Sequence, residues 1–175
     1  MYTMKSDTPP KELYKIYLNC FTLIFEKIKG YLSKKNPFYN EIMTFIKTYK
    51  DHLNEDKNQP LNGDKYFPII AKSMEIENVK ITDTVLTNLK ILIENNLLLG
   101  KSKDNPIITP KDNNKNRKMI DSIVETLSKL DYIKDESIWI SIAEVLNELV
   151  INNEIYLNSK PIENIYKFYI WNKDS

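Results

Sequence analysis

Glycine is scarce in this 175-residue sequence, with three copies against eight prolines. Rossmann folds, P-loop folds and β-sandwiches depend on glycine-rich turns and close backbone approaches, and they use more glycine than this. The scarcity therefore argues against a phosphate-cradling loop and favours an architecture built from helices.

Cysteine and histidine occur once each, as Cys20 and His52. A single cysteine cannot form an internal disulfide, and this usage is typical of a cytosolic protein. Cys/His metal sites and nucleophile–histidine–acid triads need more such residues, or a Gly-x-Ser-x-Gly turn, than the chain has. We expect Cys20 to be a small buried hydrophobe and His52, in a charged run, to be solvated. The sequence predicts no enzyme activity and no metal or other cofactor.

A charge excess and a long apolar run are also missing. Lys and Arg number 25 and Asp and Glu 24, whereas a dedicated nucleic-acid binder normally carries a marked basic excess. No apolar run approaches the ~18 residues that span a bilayer, and the N-terminus does not have the layout of a signal peptide. We therefore expect a soluble cytoplasmic protein with peripheral membrane contact only and no nucleic-acid partner.

The chain does contain apolar residues at spacings of three and four, which predict about seven amphipathic helices, one of them a short helix within Tyr66–Met74. The stripes are Leu13, Ile16, Tyr17, Cys20, Ile24 and Ile28; Ile42, Phe45, Ile46 and Tyr49; Ile81, Val85, Leu89, Leu92 and Ile93; Ile120, Ile123, Val124, Leu127 and Leu130; Trp139, Ile142, Val145, Leu146, Leu149 and Val150; and Ile162, Ile165, Tyr166 and Tyr169.

Capping residues mark where most of these helices should begin. The predicted starts are Thr8–Pro9, Asn36–Pro37, Asn78, Asp135, and Ser159 with Pro161. Residues 1–7 have no periodicity and are predicted to be a disordered tail. Residues 8–175 are predicted to form a single helical-repeat domain.

A weak internal repeat relates Leu89–Asn96 to Leu146–Asn153. Once about a dozen residues of the polar Lys101–Asn114 loop are discounted, the offset approaches the period of HEAT and armadillo repeats, about 40–47 residues. The predicted fold is therefore all-α: a short right-handed α-solenoid of the armadillo/HEAT kind, in which helix pairs stack because none buries its apolar face alone. Chance similarity in a chain rich in Asn, Leu and Ile is the alternative.

Two features suit binding. The first is the excess of basic over acidic residues between positions 101 and 118, which predicts either a solvated loop or a contact with acidic lipid headgroups or an acidic partner. The second is a set of apolar residues off the predicted core stripes. Ile91, Ile140 and Ile151 are the candidate partner-binding residues, and packing against a neighbouring repeat is the alternative.

Several segments occur in the order and spacing of one known family. They are Asp64–Phe67, Ile81–Ile93 followed by Gly100, Ile120–Thr126 and Tyr166–Tyr169. Over Asp64–Trp171 the chain resembles the N-terminal DCB (dimerisation and cyclophilin-binding) domain of large, brefeldin-A-inhibited Arf guanine-nucleotide exchange factors. A related Golgi scaffold of the Mon-two type has a shorter middle loop.

The resemblance implies a non-catalytic targeting domain on a cytoplasmic protein that is recruited to Golgi or trans-Golgi membranes in vesicular traffic. The implied partners are a GTP-bound Arf-like small GTPase, a second copy of the domain in a homodimer, and downstream domains of the same protein. It also implies that the catalytic exchange domain is not among these residues.

Two other functions remain open from the residues alone. A self-assembling α-solenoid scaffold, such as one of the Mon-two type with no link to an exchange domain, is favoured by the wide apolar stripe at 139–150 and the Tyr-rich last helix. A nucleic-acid-binding helical repeat is suggested by Lys/Tyr interleaving such as Tyr14–Tyr17, but the near-zero net charge speaks against it.

Overall fold

The computed structural model describes residues 11–104 and 117–171. Within these ranges the chain forms seven α-helices and no strand, so the predicted all-α class is confirmed. The helices are α1 (Lys11–Tyr31), α2 (Tyr39–Asp56), α3 (Phe67–Met74), α4 (Val79–Glu94), α5 (Met119–Ser128), α6 (Glu136–Ile151) and α7 (Ser159–Trp171). Short 3₁₀ turns at Gly63–Tyr66 and Lys129–Tyr132 precede α3 and follow α5.

Two of the predicted caps begin helices where the sequence placed them. The Asn78 side chain accepts hydrogen bonds from the N–H groups of Lys80 (3.0 Å) and Ile81 (3.1 Å). Asp135 likewise accepts from the Ser137 N–H at 2.9 Å. Each oxygen satisfies donors that have no partner in the first turn of a helix. These caps set the starts of α4 and α6.

The second predicted start is displaced. α2 begins at Tyr39 rather than after Asn36, because the Asn36 side chain accepts the Phe38 N–H at 2.8 Å and closes a turn before the helix. The first predicted start, at Thr8–Pro9, and the predicted tail at residues 1–7 lie outside the described residues, as does most of the loop predicted at Lys101–Asn114.

The helices pack as two sets of neighbours. In one set α1 packs on α4 and α4 on α6; in the other α2 packs on α3, α3 on α5 and α5 on α7. Contacts between α1 and α2, α3 and α4, and α5 and α6 join the two sets. α6 and α7 are thus the outer members of their sets in the described chain. One core connects the described helices, from Tyr17 and Phe21 on α1 to Leu146 and Leu149 on α6.

The repeated segments lie on neighbouring helices that run in the same direction. Lys90 of α4 forms an ion pair with Glu144 of α6 at 3.3 Å. At the C-terminal ends of the two helices, the Asn152 side chain donates hydrogen bonds to the Ile93 carbonyl and to the Asn96 side chain, both at 2.9 Å. Similar sequences therefore occupy similar places in adjacent helix pairs, α3/α4 and α5/α6.

Asp56 joins three elements from inside the core. Its carboxylate accepts hydrogen bonds from the hydroxyl groups of Tyr17 (2.8 Å) and Tyr66 (2.6 Å) and forms an ion pair with Lys65. Burial, and then the Asp56 carboxylate, raise the pKa of both tyrosines. Because buried polar groups must be paired, this arrangement holds α1, the end of α2 and the first 3₁₀ turn in one register.

A second buried carboxylate, Asp64, organises the segment that follows α4. It accepts the backbone N–H groups of Leu99 (3.1 Å), Gly100 (2.8 Å) and Ser102 (3.0 Å). Gly100 has φ +67°, and a Cβ at this position would lie 2.6 Å from the Ile120 Cα. Glycine is therefore required for the backbone to turn this close to α5.

The two ends of the segment 105–116 are held together. The Asp104 N–H donates to the Arg117 carbonyl at 3.0 Å, and the Met119 N–H donates to the Ser102 carbonyl at 2.8 Å. The Arg117 guanidinium forms ion pairs with Asp104 and Glu125. These bonds position the first turn of α5 against Ser102 and Asp104, in the segment that follows α4.

Candidate protein-interaction surface

Exposed apolar side chains concentrate on α6, α7 and the segment between them. Most of the large apolar residues that are exposed among the described residues lie from Ile140 onward: Ile140, Val150, Ile151, Tyr156, Ile162, Tyr166, Tyr169, Ile170 and Trp171. We call this set the α6–α7 surface. Surfaces of this composition on a soluble domain commonly mark a binding site for another protein.

α7 carries two apolar stripes and buries one of them. Pro161, Ile165 and Phe168 face inward, and α7 packs chiefly on α5. Ile162 and Tyr166, which the sequence analysis assigned to the core, are instead 52% and 66% exposed. That assignment was wrong because both stripes have helical spacing, and periodicity alone does not say which one meets α5.

The end of α7 is anchored and amphipathic. The Tyr169 hydroxyl donates to the Ala143 carbonyl of α6 at 3.1 Å, and burial of the ring raises the pKa of the phenol. Trp171 is 77% exposed. Glu163 forms ion pairs with Lys160 (3.6 Å) and Lys167 (2.6 Å) on the same helix. α7 therefore presents aromatic rings beside one carboxylate that is shared by two lysines.

α6 shows a similar displacement of one stripe. Val150, predicted to be in the core, is 56% exposed, whereas Ile138, which was left out of the predicted stripe, is buried. Trp139 is half-buried, and its indole N–H has no hydrogen-bond partner. The rest of the predicted stripe, from Ile142 to Leu149, is buried as expected.

The three residues singled out from the sequence fall in different environments. Ile140 and Ile151 are 55% and 57% exposed and belong to the α6–α7 surface. Ile91 is half-buried against the core. This position agrees with the alternative reading of Ile91, in which it packs against a neighbouring helix.

A shallow groove of about 270 Å³ separates α4 from α6 beside Ile91. Its apolar lining comes from Leu86 and Ile91, and the Lys90–Glu144 ion pair lies at its edge. The groove leads toward the exposed face of α6, since Ser141 also lines it. Most of its lining residues are polar or charged, so the groove does not form an apolar small-molecule site.

The second cleft, of about 310 Å³, lies between α5 and α7 and is polar. Its cations already have carboxylate partners: Arg117 pairs with Glu125, and Lys129 pairs with Glu125 at 3.0 Å. Hydrogen bonds from Arg117 and Lys129 lower the pKa of Glu125 although burial acts to raise it. The cleft is therefore electrostatically satisfied and makes a poor anion site.

The basic segment at 101–118 is also partly neutralised. Lys101 forms an ion pair with Glu154 at 3.1 Å, and Arg117 is paired as described above. Lys103 and Lys118 are exposed and meet at an isolated backbone bridge. Lys111, Asp112 and Lys115 of this prediction lie outside the described residues.

Cys20 is buried, as predicted, and burial raises the pKa of its thiol to about 11. His52 is half-buried and stacks on the Phe45 ring at a centroid distance of 5.7 Å, so the ring expected to be solvated is partly exposed. Over 11–104 and 117–171, no group of three or more His, Cys, Asp or Glu side chains is placed to hold a metal ion. None of the helices in the same ranges is both long and apolar enough to cross a bilayer.

Comparison of the chain with protein-family models, with curated proteins and with solved structures finds no match. Sequence reasoning missed Tyr166 and Trp171 as surface residues, although one signal was present: α7 has more apolar positions than a single helical face holds.

Proposed function

We propose that this chain is a non-catalytic protein-interaction module that binds a partner through the α6–α7 surface. Exposure of the α7 aromatic rings carries the proposal. Tyr166, Tyr169 and Trp171 are 66%, 44% and 77% exposed, so these three side chains together present roughly 400 Å² of surface to a partner. Tyr and Trp are also the residues most enriched where binding energy concentrates.

We further propose that the two sets of packed helices form a short right-handed armadillo/HEAT-like stack. The side-by-side arrangement of the repeated segments supports this, because stacked helix pairs place equivalent helices next to each other. The outermost pair of such a stack has an uncovered apolar face. Small-angle scattering of the purified chain would test the shape, and a profile of a spherical globule would contradict it.

The family resemblance suggests the partner: a GTP-bound Arf-like small GTPase, recognised through its nucleotide-ordered switch regions. In this proposal the chain helps to recruit an exchange factor to Golgi membranes. Downstream domains of the same protein are a second proposed partner for the surface. The support is the ordered set of resembling segments together with an exposed aromatic helix.

A pull-down with Arf-like GTPases loaded with GDP or with a non-hydrolysable GTP analogue tests the proposal. We expect binding to the GTP form, and at least about a tenfold loss of affinity with Tyr166→Asp. Leu23→Asp is the matched control, since Leu23 is 48% exposed but lies on α1. Equal binding to both nucleotide forms, or none, would reject the GTPase. GTP-dependent binding that Tyr166→Asp leaves unchanged would reject the surface.

Self-association through α7 is the second candidate function, and the same exposed stripe favours it. Ile162 and Ile170 lie at similar distances on either side of Tyr166 along the helix. In an antiparallel, two-fold symmetric pair of α7 helices, Ile162 of each copy would therefore face Ile170 of the other. Light scattering at tens of micromolar measures the mass. A monomer at these concentrations would contradict the scaffold function, and binding to a different protein would then remain as the proposal.

A further inference from the structure

A basic cluster lies where α1 ends, far along the chain from the α6–α7 surface. It consists of Lys27 on the last turns of α1, Lys34 and Lys35 in the turn that follows, and Lys80 in the first turn of α4. The ring of Tyr31 joins two of these lysines: the Lys27 Nζ lies 5.8 Å and the Lys80 Nζ 5.1 Å from its centroid. Lys80 also donates to the Tyr31 hydroxyl at 3.2 Å.

The positive charge of this cluster is not neutralised. None of its four ammonium groups lies within 4.0 Å of a carboxylate oxygen in the described chain. The sequence contains no Asp or Glu from position 27 to position 40. Asp83, one turn after Lys80, is outside ion-pair distance of it. The Glu26 carboxylate accepts a hydrogen bond from the Tyr49 hydroxyl at 2.6 Å. A chain of nearly zero net charge thus has a concentrated positive end.

Apolar groups accompany the lysines. Tyr31 is 41% and Val79 42% exposed, and Leu32, between Tyr31 and the turn, is half-buried. Lysines surrounding a tyrosine and aliphatic side chains suit the boundary between water and lipid headgroups, where an amphipathic ring lies at headgroup depth while ammonium groups meet lipid phosphates and carboxylates.

We propose that this basic cluster is a docking surface for the anionic face of a lipid bilayer. Single-stranded nucleic acid is less well matched, because it is usually held by several aromatic stacking platforms along a basic groove, and one ring is exposed here. The cluster binds a different class of partner from the α6–α7 surface, and the proposal does not depend on the proposed function.

Co-sedimentation of the full chain with vesicles tests it. Vesicles of phosphatidylcholine with about 30% phosphatidylserine should bind the chain, pure phosphatidylcholine vesicles should not, and about 0.5 M salt should abolish binding. Each lysine near such a surface changes the partition constant about fivefold, so Lys34→Gln with Lys35→Gln should weaken binding about 25-fold. Absence of binding to the anionic vesicles would overturn the proposal.

The matched control is Lys15→Gln with Lys57→Gln. Both residues are exposed, and the hydrogen bond from Tyr14 to the Leu53 carbonyl places them together at the opposite ends of α1 and α2. This control lowers the net charge by the same two units as Lys34→Gln with Lys35→Gln, and it should bind the vesicles as tightly as the wild-type chain. Equal losses in both variants would mean that overall charge, not this cluster, drives adsorption, and would reject the site.

Tyr31→Ser separates a bilayer from a soluble polyanion, since it removes the apolar ring at constant charge. We expect it to weaken vesicle binding several-fold, with an unchanged circular dichroism spectrum. Unchanged vesicle binding would reject the lipid-interface assignment. So would tighter binding of a single-stranded RNA oligonucleotide than of the vesicles at the same salt, with the same sensitivity to Lys34→Gln and Lys35→Gln.

Discussion

Replacing Asp56 with alanine should destabilise the fold more than replacing any other single carboxylate residue of α1 or α2. Asp56 is 3% exposed and lies at the end of α2. Its carboxylate accepts hydrogen bonds from Tyr17 at 2.8 Å and Tyr66 at 2.6 Å and pairs with Lys65. The substitution removes the acceptor of the Tyr66 hydroxyl and the nearer of the two acceptors of the Tyr17 hydroxyl, which keeps only the Asn62 carbonyl at 3.3 Å.

The magnitude follows from these partners. A hydrogen bond to a charged group contributes about 1.5–3 kcal/mol, and an unsatisfied buried donor costs a comparable amount. The Lys65 side chain is 47% exposed, so solvent screening limits its ion pair to less than about 1 kcal/mol. Relief of the desolvation penalty of the buried carboxylate offsets part of the loss. We expect a net decrease of about 3–4 kcal/mol in the free energy of unfolding.

Urea titration followed by far-ultraviolet circular dichroism measures this decrease as a lower midpoint with an unchanged slope. Asp51→Ala is the control, because Asp51 is exposed on the same helix and should change stability by less than about 0.5 kcal/mol. A loss below about 1 kcal/mol for Asp56→Ala would refute the reasoning. A double-mutant cycle with Tyr17→Phe should also show coupling, since Tyr17→Phe should cost less once the carboxylate is gone.

Three further predictions concern stability. Gly100→Ala should cost at least about 2 kcal/mol in the same titration, because φ is +67° and the new Cβ would meet Ile120 at 2.6 Å; a cost near zero would contradict it. Ile91→Asp should unfold or strongly destabilise the chain, whereas Ile140→Asp should change stability by less than about 0.5 kcal/mol, and equal thermal midpoints would contradict the burial assigned to Ile91. Burial and then Asp56 raise the pKa of Tyr66. The stabilising contribution of Tyr66 is therefore complete below about pH 10, the pKa of the phenol in the unfolded chain. Above that pH the contribution falls by about 1.4 kcal/mol per pH unit. Titrations from about pH 9 to about pH 11 should therefore show a shallower decline for Tyr66→Phe, and parallel curves would contradict the shift.

Local sequence accounts for most helix positions. The stripe Ile81, Val85, Leu89, Leu92 and Ile93 is buried throughout, and the side chains of Asn78 and Asp135 cap the helices that they were predicted to begin. Both signals act over one or two turns of the chain, so they can be read without knowing what the helix packs against.

Assignments failed where the chain offered two equivalent faces. Ile162 and Ile165 are both apolar and both have helical spacing, yet Ile165 is buried and Ile162 is exposed. The choice depends on the rotation of α7 against α5, which a repeating pattern does not encode when apolar residues extend beyond one face. The α7 part of the candidate interaction surface results from this choice, whereas Ile140 and Ile151 of α6 were identified from the sequence because they lie off the core stripe.

The sequence by itself determined an all-α chain: its helical periodicity, its caps, and its lack of glycine and of paired cysteine and histidine residues follow from single residues and short spacings. Only the tertiary structure decided which stripes are covered, that Asp56 and Asp64 are buried acceptors for distant donors, and that Lys80 meets Tyr31 beside the α1–α2 turn. The physical reason is range. Caps and periodicity are local interactions, whereas burial, carboxylate pairing and charge clustering depend on residues that are brought together only by packing.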